Sequence, residues 1–284
     1  MGIWRRKSAA GIVGKRFSVW YTIPMGVVWQ GGRGMEFRDE VRKAAAEFGT
    51  PLTERQEEQF SLYSSLLLEW NEKMNLTAIT EPREVAAKHV VDSLSAFDPE
   101  LFREGTRVID VGSGAGFPGL ALKIYFPSME IVLLDSLQKR VKFLETVVSA
   151  LGLSGVACVH GRAEEAARRK EYREQFDLAL ARAVARLSVL AEYTLPFVRV
   201  GGSLLALKGA RYVEEMTEAE QAAKILGGGV PSAKAVKLPG LDDGRAVVRI
   251  VKERPTPKAY PRKSGTPEKK PLGGDAMKTK EAKE

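Results

Sequence analysis

The run Val108-Ile109-Asp110-Val111-Gly112-Ser113-Gly114-Ala115-Gly116-Phe117-Pro118-Gly119 holds the residues whose types and spacing could do chemistry. Apolar Val108, Ile109 and Val111 read as a buried strand. Four glycines in the next eight residues let a bound molecule approach the backbone and tolerate positive φ. Pro118 suits the first turn of a following helix, where a missing N–H costs little. The loop is therefore shaped to hold a small molecule against a helix N-terminus. A carboxylate, Asp110, precedes the first glycine.

Gly114 to Gly119 also satisfies G-x-G-x-x-G, a dinucleotide fingerprint that is weak when it stands alone. A second apolar run, Glu130-Ile131-Val132-Leu133-Leu134-Asp135, ends in an acid 25 positions after Asp110. An acid there accepts hydrogen bonds from ribose hydroxyls, whether the ligand is NAD or S-adenosylmethionine. Asp110 discriminates between them. A carboxylate beside the loop suits a ligand with a cationic amino group and repels a pyrophosphate. The expected cofactor is S-adenosylmethionine.

The elements that must position these residues alternate. Strands are expected at 107–112, 130–135, 155–160, 176–182, 202–208, 234–239 and 245–252, and helices at 118–126, 138–152, 163–172, 187–199 and 212–226. Helices between successive strands predict a mostly parallel sheet covered on both faces. No helix separates the last two strands, and Leu241-Asp242-Asp243-Gly244 supplies a turn, so they should form an antiparallel hairpin. The expected fold is α/β, a Rossmann-like seven-stranded methyltransferase sheet. Upstream, Thr53-Glu54-Arg55-Gln56 has the capping-box pattern. It opens a helix with Phe60, Tyr63, Leu66, Leu67 and Trp70 at helical spacing. A polar loop and a further helix, about 82–97, complete a helical segment expected over 35–98, ahead of a ligand-binding domain over 99–254.

The chain has 284 residues, 44% hydrophobic and 28% charged, ordinary for a soluble globular protein. Its lone cysteine, Cys158, permits no internal disulfide, which suits a reducing cytosol. Two histidines far apart, His89 and His160, make a metal site an unattractive reading. The net charge of +8 sits at the ends: +6 over 1–34 and +5 over 252–284, against −3 between. Basic ends can contact phosphates or simply be solvated. Residues 255–284 are expected to be a basic, largely disordered tail, with little order after Pro271. The apolar stretch Phe17–Trp29 is too short to span a bilayer and lacks a convincing cleavage site for a secretory signal. Residues 1–34 are read as a non-native or disordered extension, with translation starting at Met35.

Several motifs in order resemble the bacterial 16S ribosomal RNA guanine-N7 methyltransferases, also called glucose-inhibited division protein B. They are Trp70-Asn71-Glu72-Lys73-Met74-Asn75-Leu76-Thr77, His89-Val90-Val91-Asp92-Ser93-Leu94, the loop from Asp110 to Gly119, and Leu134-Asp135-Ser136-Leu137-Gln138-Lys139-Arg140. Gly161-Arg162-Ala163-Glu164-Glu165, Arg182-Ala183-Val184-Ala185 and Leu207-Lys208-Gly209 follow, and Tyr260 to Pro267 looks like a basic extension carried by some members. Ala181, where a small hydroxyl residue is frequent, and the first 34 residues depart from the pattern.

The resemblance implies that Gly112, Gly114 and Phe117 line the methionine and sulfonium end of S-adenosylmethionine. Asp135, with Ser136 and Leu137, would take the ribose, and Ala163 and Glu164 would flank the adenine. Arg182 would face the ligand or the RNA. It also implies a 16S ribosomal RNA substrate, presented as the small subunit or an assembly intermediate. The enzyme would be a cytoplasmic monomer with no membrane partner. Lys73, Lys88, Lys139 and Arg140 are candidate RNA contacts. Arg182 and Lys208, which end apolar strands, are candidates for positioning.

Guanine N7 carries a lone pair and no proton at neutral pH, so methyl transfer to it needs no general base. Catalysis would rest on placing N7 in line with the methyl carbon, and proximity and orientation can supply roughly 7–11 kcal/mol. Rival chemistries lack their residues. A cytosine-C5 methyltransferase needs a nucleophilic cysteine, and Cys158 lies mid-strand. An adenine amino-methyltransferase needs Asn/Asp-Pro-Pro-aromatic where this chain reads Ala181-Arg182-Ala183-Val184. A nicotinamide dehydrogenase is disfavoured by Asp110, and a non-catalytic RNA-binding module would bind without transferring.

Overall fold

The computed structural model describes residues 33–273. The extension expected over 1–34 lies almost wholly outside these residues. The described chain forms a seven-stranded sheet flanked by helices. In chain order the strands are β1 (Arg107–Val111), β2 (Glu130–Asp135), β3 (Val156–His160), β4 (Phe176–Arg182), β5 (Val198–Lys208), β6 (Ser232–Val236) and β7 (Arg245–Val251). Their spatial order is β3-β2-β1-β4-β5-β7-β6. β1 to β5 pair in parallel, and β7 runs antiparallel to both β5 and β6. The expected hairpin is therefore present, and its second strand is the one inserted beside β5.

Alternation along the strands splits the core between the two faces of the sheet. Val108, Ile131, Leu133, Leu178, Leu180, Leu205 and Leu207 belong to one cluster. Ile109, Val132, Leu134, Ala179, Ala181, Leu204 and Ala206 belong to the other. The first cluster is covered by α1 (Arg33–Phe48), α2 (Glu54–Asn71), α5 (Gly119–Tyr125) and α6 (Gln138–Ala150). The second is covered by α7 (Ala163–Ala166), α8 (Leu187–Thr194) and α9 (Tyr212–Ile225). The expected helices over 163–172 and 187–199 are shorter. α7 stops after one turn, and a 3-10 turn at Leu195–Phe197, opened by Pro196, ends α8. β5 correspondingly starts at Val198, four residues earlier than expected.

The capping box at Thr53 forms: Gln56 N–H donates to Thr53 Oγ1 at 3.3 Å, and Thr53 N–H donates to Gln56 Oε1 at 2.9 Å. Gln56 Nε2 then donates to the carbonyls of Ile124 (3.2 Å) and Tyr125 (2.9 Å), tying α2 to the end of α5. The helix expected at 82–97 is composite. A turn at α3 (Pro82–Val85) runs into a π-helical stretch, Ala86–Val91, and closes with α4 (Asp92–Leu94). π-helical insertions recur at functional sites because they re-aim side chains, and here the stretch carries His89.

The segment after Arg254 corrects an expectation. It is placed through Gly273 and packs on α7 and α8. Arg262, carried by it, pairs with the buried Glu192 at 2.6 Å. Pro- and Lys-rich composition suggested disorder, but a buried acid on α8 needs a cation and the segment supplies it. A fully buried cation, Lys252, locks the start of this segment: its Nζ donates to Thr256 Oγ1 (2.7 Å) and to the carbonyls of Leu195 (2.6 Å) and Val198 (3.1 Å). Burial pushes the Lys252 ammonium down to about 8.

Candidate active site

The glycine loop leaves β1 at the carboxyl edge of the sheet, where ligands of open α/β folds bind. Gly112, Gly114 and Gly116 have φ of +74°, +58° and +93°, which only glycine adopts freely. Ser113 Oγ donates to the Asp110 carbonyl at 3.0 Å and closes the turn. A Cβ on Gly112 would lie 2.8 Å from Val184 Cγ2, so the segment after β4 folds directly over the loop. Ala183 holds φ +55°, an uncommon conformation for a non-glycine residue that clusters at functional sites. It turns Val184 onto Gly112.

Asp110 is not at the entrance of this loop. It has zero exposure. Its Oδ2 accepts from the Gly119 N–H at 3.0 Å, bracing the start of α5, while Oδ1 has no hydrogen-bond partner. Burial pushes its carboxyl up to about 7, against the pull of the Gly119 and Ser113 hydrogen bonds and the Arg182 charge. Sequence places a carboxylate beside the loop; the structure places it beneath, where helix α5 uses one oxygen. The orphan oxygen fits a ligand bearing a cationic amino group, and the positive-φ backbone fits close approach, so the residues present suit S-adenosylmethionine.

Asp135 ends β2 almost fully buried. Its Oδ2 accepts from Gly114 N–H at 2.8 Å and its Oδ1 from Leu137 N–H at 2.9 Å, so the acid fixes both the glycine loop and its own turn. A carboxylate offers about four acceptor positions, which leaves capacity for ribose hydroxyls. Ser136 and Leu137 are exposed beside it. Gly161 N–H donates to the Asp135 carbonyl at 3.0 Å, which brings Ala163 and the buried Glu164 next along the same edge.

Arg182 ends β4 in a cluster that sequence reasoning did not assemble. Its Nη1 donates to Asp92 Oδ2 and to the Lys88 carbonyl, both at 2.8 Å. Its guanidinium sits 5.2 Å from the centre of the Phe117 ring. Tyr63 and His89 also stack on that ring, at 5.0 and 4.8 Å, and Tyr63 Oη donates to the Ala115 carbonyl. Phe117 is thereby enclosed, with 5% exposure. Asp92 is buried, and its Oδ1 meets Arg245 Nη1 of β7 at 3.1 Å, so one carboxylate bridges two arginines from different strands. His89 Nε2 and Thr77 Oγ1 are 2.8 Å apart. Burial and the neighbouring Arg182 push the imidazole down to about 3, so it is neutral at physiological pH. Asn71 Oδ1 accepts from Leu76 N–H (2.7 Å) and Thr77 N–H (2.9 Å), shaping the loop that delivers Thr77. His89 and Asp92 fall in one motif, His89-Val90-Val91-Asp92-Ser93-Leu94, the sequence signal for two members of this cluster. Arg245 gave none.

The other candidate cations differ in availability. Lys208 is tied down, bonding Glu215 at 2.6 Å and donating to the Ala185 carbonyl at 2.7 Å. Lys88 pairs with Glu84, and Arg140 lies 3.7 Å from Asp135. Lys73 is exposed, 3.9 Å from Glu69, and Lys139 is exposed at the start of α6. Among the described residues no group of three or more His, Cys, Asp or Glu could hold a metal ion, and no helix is long and apolar enough to cross a membrane.

The profile of the family described as rRNA small subunit methyltransferase G matches residues 56–241. The protein of that name from Alkaliphilus metalliredigens is 49% identical over 238 residues, covering 84% of this chain and 100% of that protein. Its counterpart from Exiguobacterium sibiricum is 51% identical over 230 residues, covering 81% and 97%. The chain belongs to this family. A solved structure of the S-adenosylmethionine-dependent methyltransferase SibL in its apo form is 15% identical, with a TM-score of 0.47 over 81% of this chain and 71% of that one. Within the family match lie the glycine loop, Asp135, Glu164 and Arg182; Arg245 and the segment that holds Arg262 lie beyond it.

Proposed function

We propose that this chain transfers the methyl group of S-adenosylmethionine to N7 of a guanine in 16S ribosomal RNA, in the loop near the decoding centre. Membership of the small-subunit methyltransferase family supports the substrate class. The observation that carries the chemistry is the meeting of the glycine loop, Asp135 and the Arg182–Asp92 pair along one sheet edge. When bound, S-adenosylmethionine supplies an electrophilic methyl carbon and carries a positive charge on sulfur.

The chain's own residues bind and orient. Backbone at Gly112 and Gly114 borders the methionine end, and Asp135 with Ser136 and Leu137 borders the ribose. Ala163 and Glu164 flank the adenine. Asp92 fixes Arg182, and Arg182 with Tyr63 and His89 fixes Phe117, so the wall of the pocket is preorganised rather than assembled on binding. His89 is neutral and N7 has no proton to lose, so no residue need accept one. Lys139 and Lys73, both exposed, are proposed RNA phosphate contacts, with Lys88 and Arg140 available by exchanging their carboxylate partners. The target base must leave its stack to reach the pocket, which is cheapest in a single-stranded loop. We place the enzyme in the cytoplasm as a monomer acting on the small subunit or an assembly intermediate.

The test is to map 7-methylguanosine in 16S rRNA from cells with and without the gene, and to restore it with purified protein and S-adenosylmethionine. Binding of RNA without methyl transfer would support the non-catalytic alternative.

A further inference from the structure

The segment Pro261–Gly265 crosses the outer side of α7, the turn that begins with Ala163 and Glu164. Gly265 N–H donates to Glu164 Oε1 at 2.9 Å, and Ser264 Oγ donates to Glu165 Oε1 at 3.2 Å. Four contacts fasten Arg262 to Glu192: its backbone N–H at 2.7 Å, Nε at 3.0 and 3.1 Å, and Nη2 at 2.6 Å. Upstream, the Tyr260 and Thr256 carbonyls accept from Arg173 at 2.9 and 2.8 Å, and Arg168 donates to the Pro261 carbonyl. A segment bonded this densely is part of the wall it touches. A buried acid with a fork-shaped cation is costly to break, because the acid would remain without a partner.

We propose that Pro261–Gly265 is the outer wall of the adenine end of the cofactor pocket, and that the Glu192–Arg262 pair is its anchor. Glu164 has only 4% exposure, and the Gly265 amide holds one of its oxygens. The strap thereby sets the direction of the Glu164 carboxylate and narrows the approach to Ala163. Arg262 is a positioning residue: it acts on the nucleoside through the strap. The inference rests on the proposed binding of S-adenosylmethionine along this edge.

Full-length Arg262→Ala and Arg262→Lys proteins are compared with wild type by calorimetry with S-adenosylhomocysteine and with adenosine, and by donor-dependent kinetics on small subunits. Arg262→Ala should weaken both ligands by a similar factor, about tenfold. It should raise the KM for S-adenosylmethionine more than it lowers kcat, and Arg262→Lys should recover part of the loss. Hydrogen exchange at 259–265 in the wild type should slow when S-adenosylhomocysteine is added. Unchanged affinities in a variant that merely melts earlier, with no ligand-dependent protection of the strap, would overturn the inference while leaving the function standing. A folded wild type that binds neither ligand overturns the functional reading itself.

Discussion

Asp110→Asn gives the sharpest test of how the glycine loop is built. Asp110 is a buried carboxyl pushed from 3.8 up to about 7, chiefly by burial. Between those values the folded state keeps a proton that the unfolded chain has released. Stability must therefore fall as pH rises through this window, by about 1.4 kcal/mol per unit. The full penalty, about 4 kcal/mol, is present above pH 7 and vanishes below pH 4. Asparagine keeps an acceptor for the Gly119 N–H, 3.0 Å away, and does not titrate. The variant should thus gain on the wild type by about 3 kcal/mol between pH 5 and pH 8. That corresponds to roughly 10 °C in the difference between their melting temperatures, at about 2–4 °C per kcal/mol for a domain of this size. Donor affinity should move the opposite way, because a cationic amino group loses its counter-charge. Melting curves of both proteins at four pH values measure the first effect and calorimetry the second. An offset between the two melting temperatures that stays constant from pH 5 to pH 8 would refute the reasoning.

Other perturbations probe other joints. Gly119→Ala should destabilise by about 1–3 kcal/mol, because its Cβ would lie 2.6 Å from Asp110 Oδ2 and 2.8 Å from Leu133 Cδ2; chemical denaturation reads the loss. Asp92→Asn leaves Arg182 and Arg245 without their shared counter-charge. It should cost about 3 kcal/mol, and a double-mutant cycle with Arg182→Met should show coupling above about 1 kcal/mol; additive effects would disconnect the pair. Lys139→Glu should weaken RNA binding similarly for all sequences and lower the slope of log affinity against log salt by about one. An unchanged slope removes Lys139 from the interface.

The parts of this fold that follow from local rules were legible. Short apolar runs located the strands, and the glycines located the turn that Asp135 braces, because run composition and loop conformation are properties of neighbouring residues. What depends on distant partners was not. Asp110 reads as a pocket acid in sequence, and only the return of α5 beneath the loop shows that Gly119 claims one oxygen. Arg182 and Lys208 look equivalent as cations ending apolar strands, yet Asp92 holds the first against Phe117 while Glu215 draws the second aside. Residues 255–273 look disordered by composition, since the acid that fixes them, Glu192, belongs to a helix far upstream. Asp92 and Arg245 meet for the same reason, across most of the domain.

The insertion of β7 beside β5 has a bearing on how the protein is made. Among the described residues β7 is the last strand to be synthesised, yet it slots into the sheet interior and carries the second arginine of the Asp92 bridge. Until that strand arrives, β5 has a bare flank and Asp92 holds only one of its two cations. A growing chain therefore completes the Asp92 bridge near the end of its synthesis, so a product cut short before β7 lacks the second cation on the carboxylate that steadies Arg182.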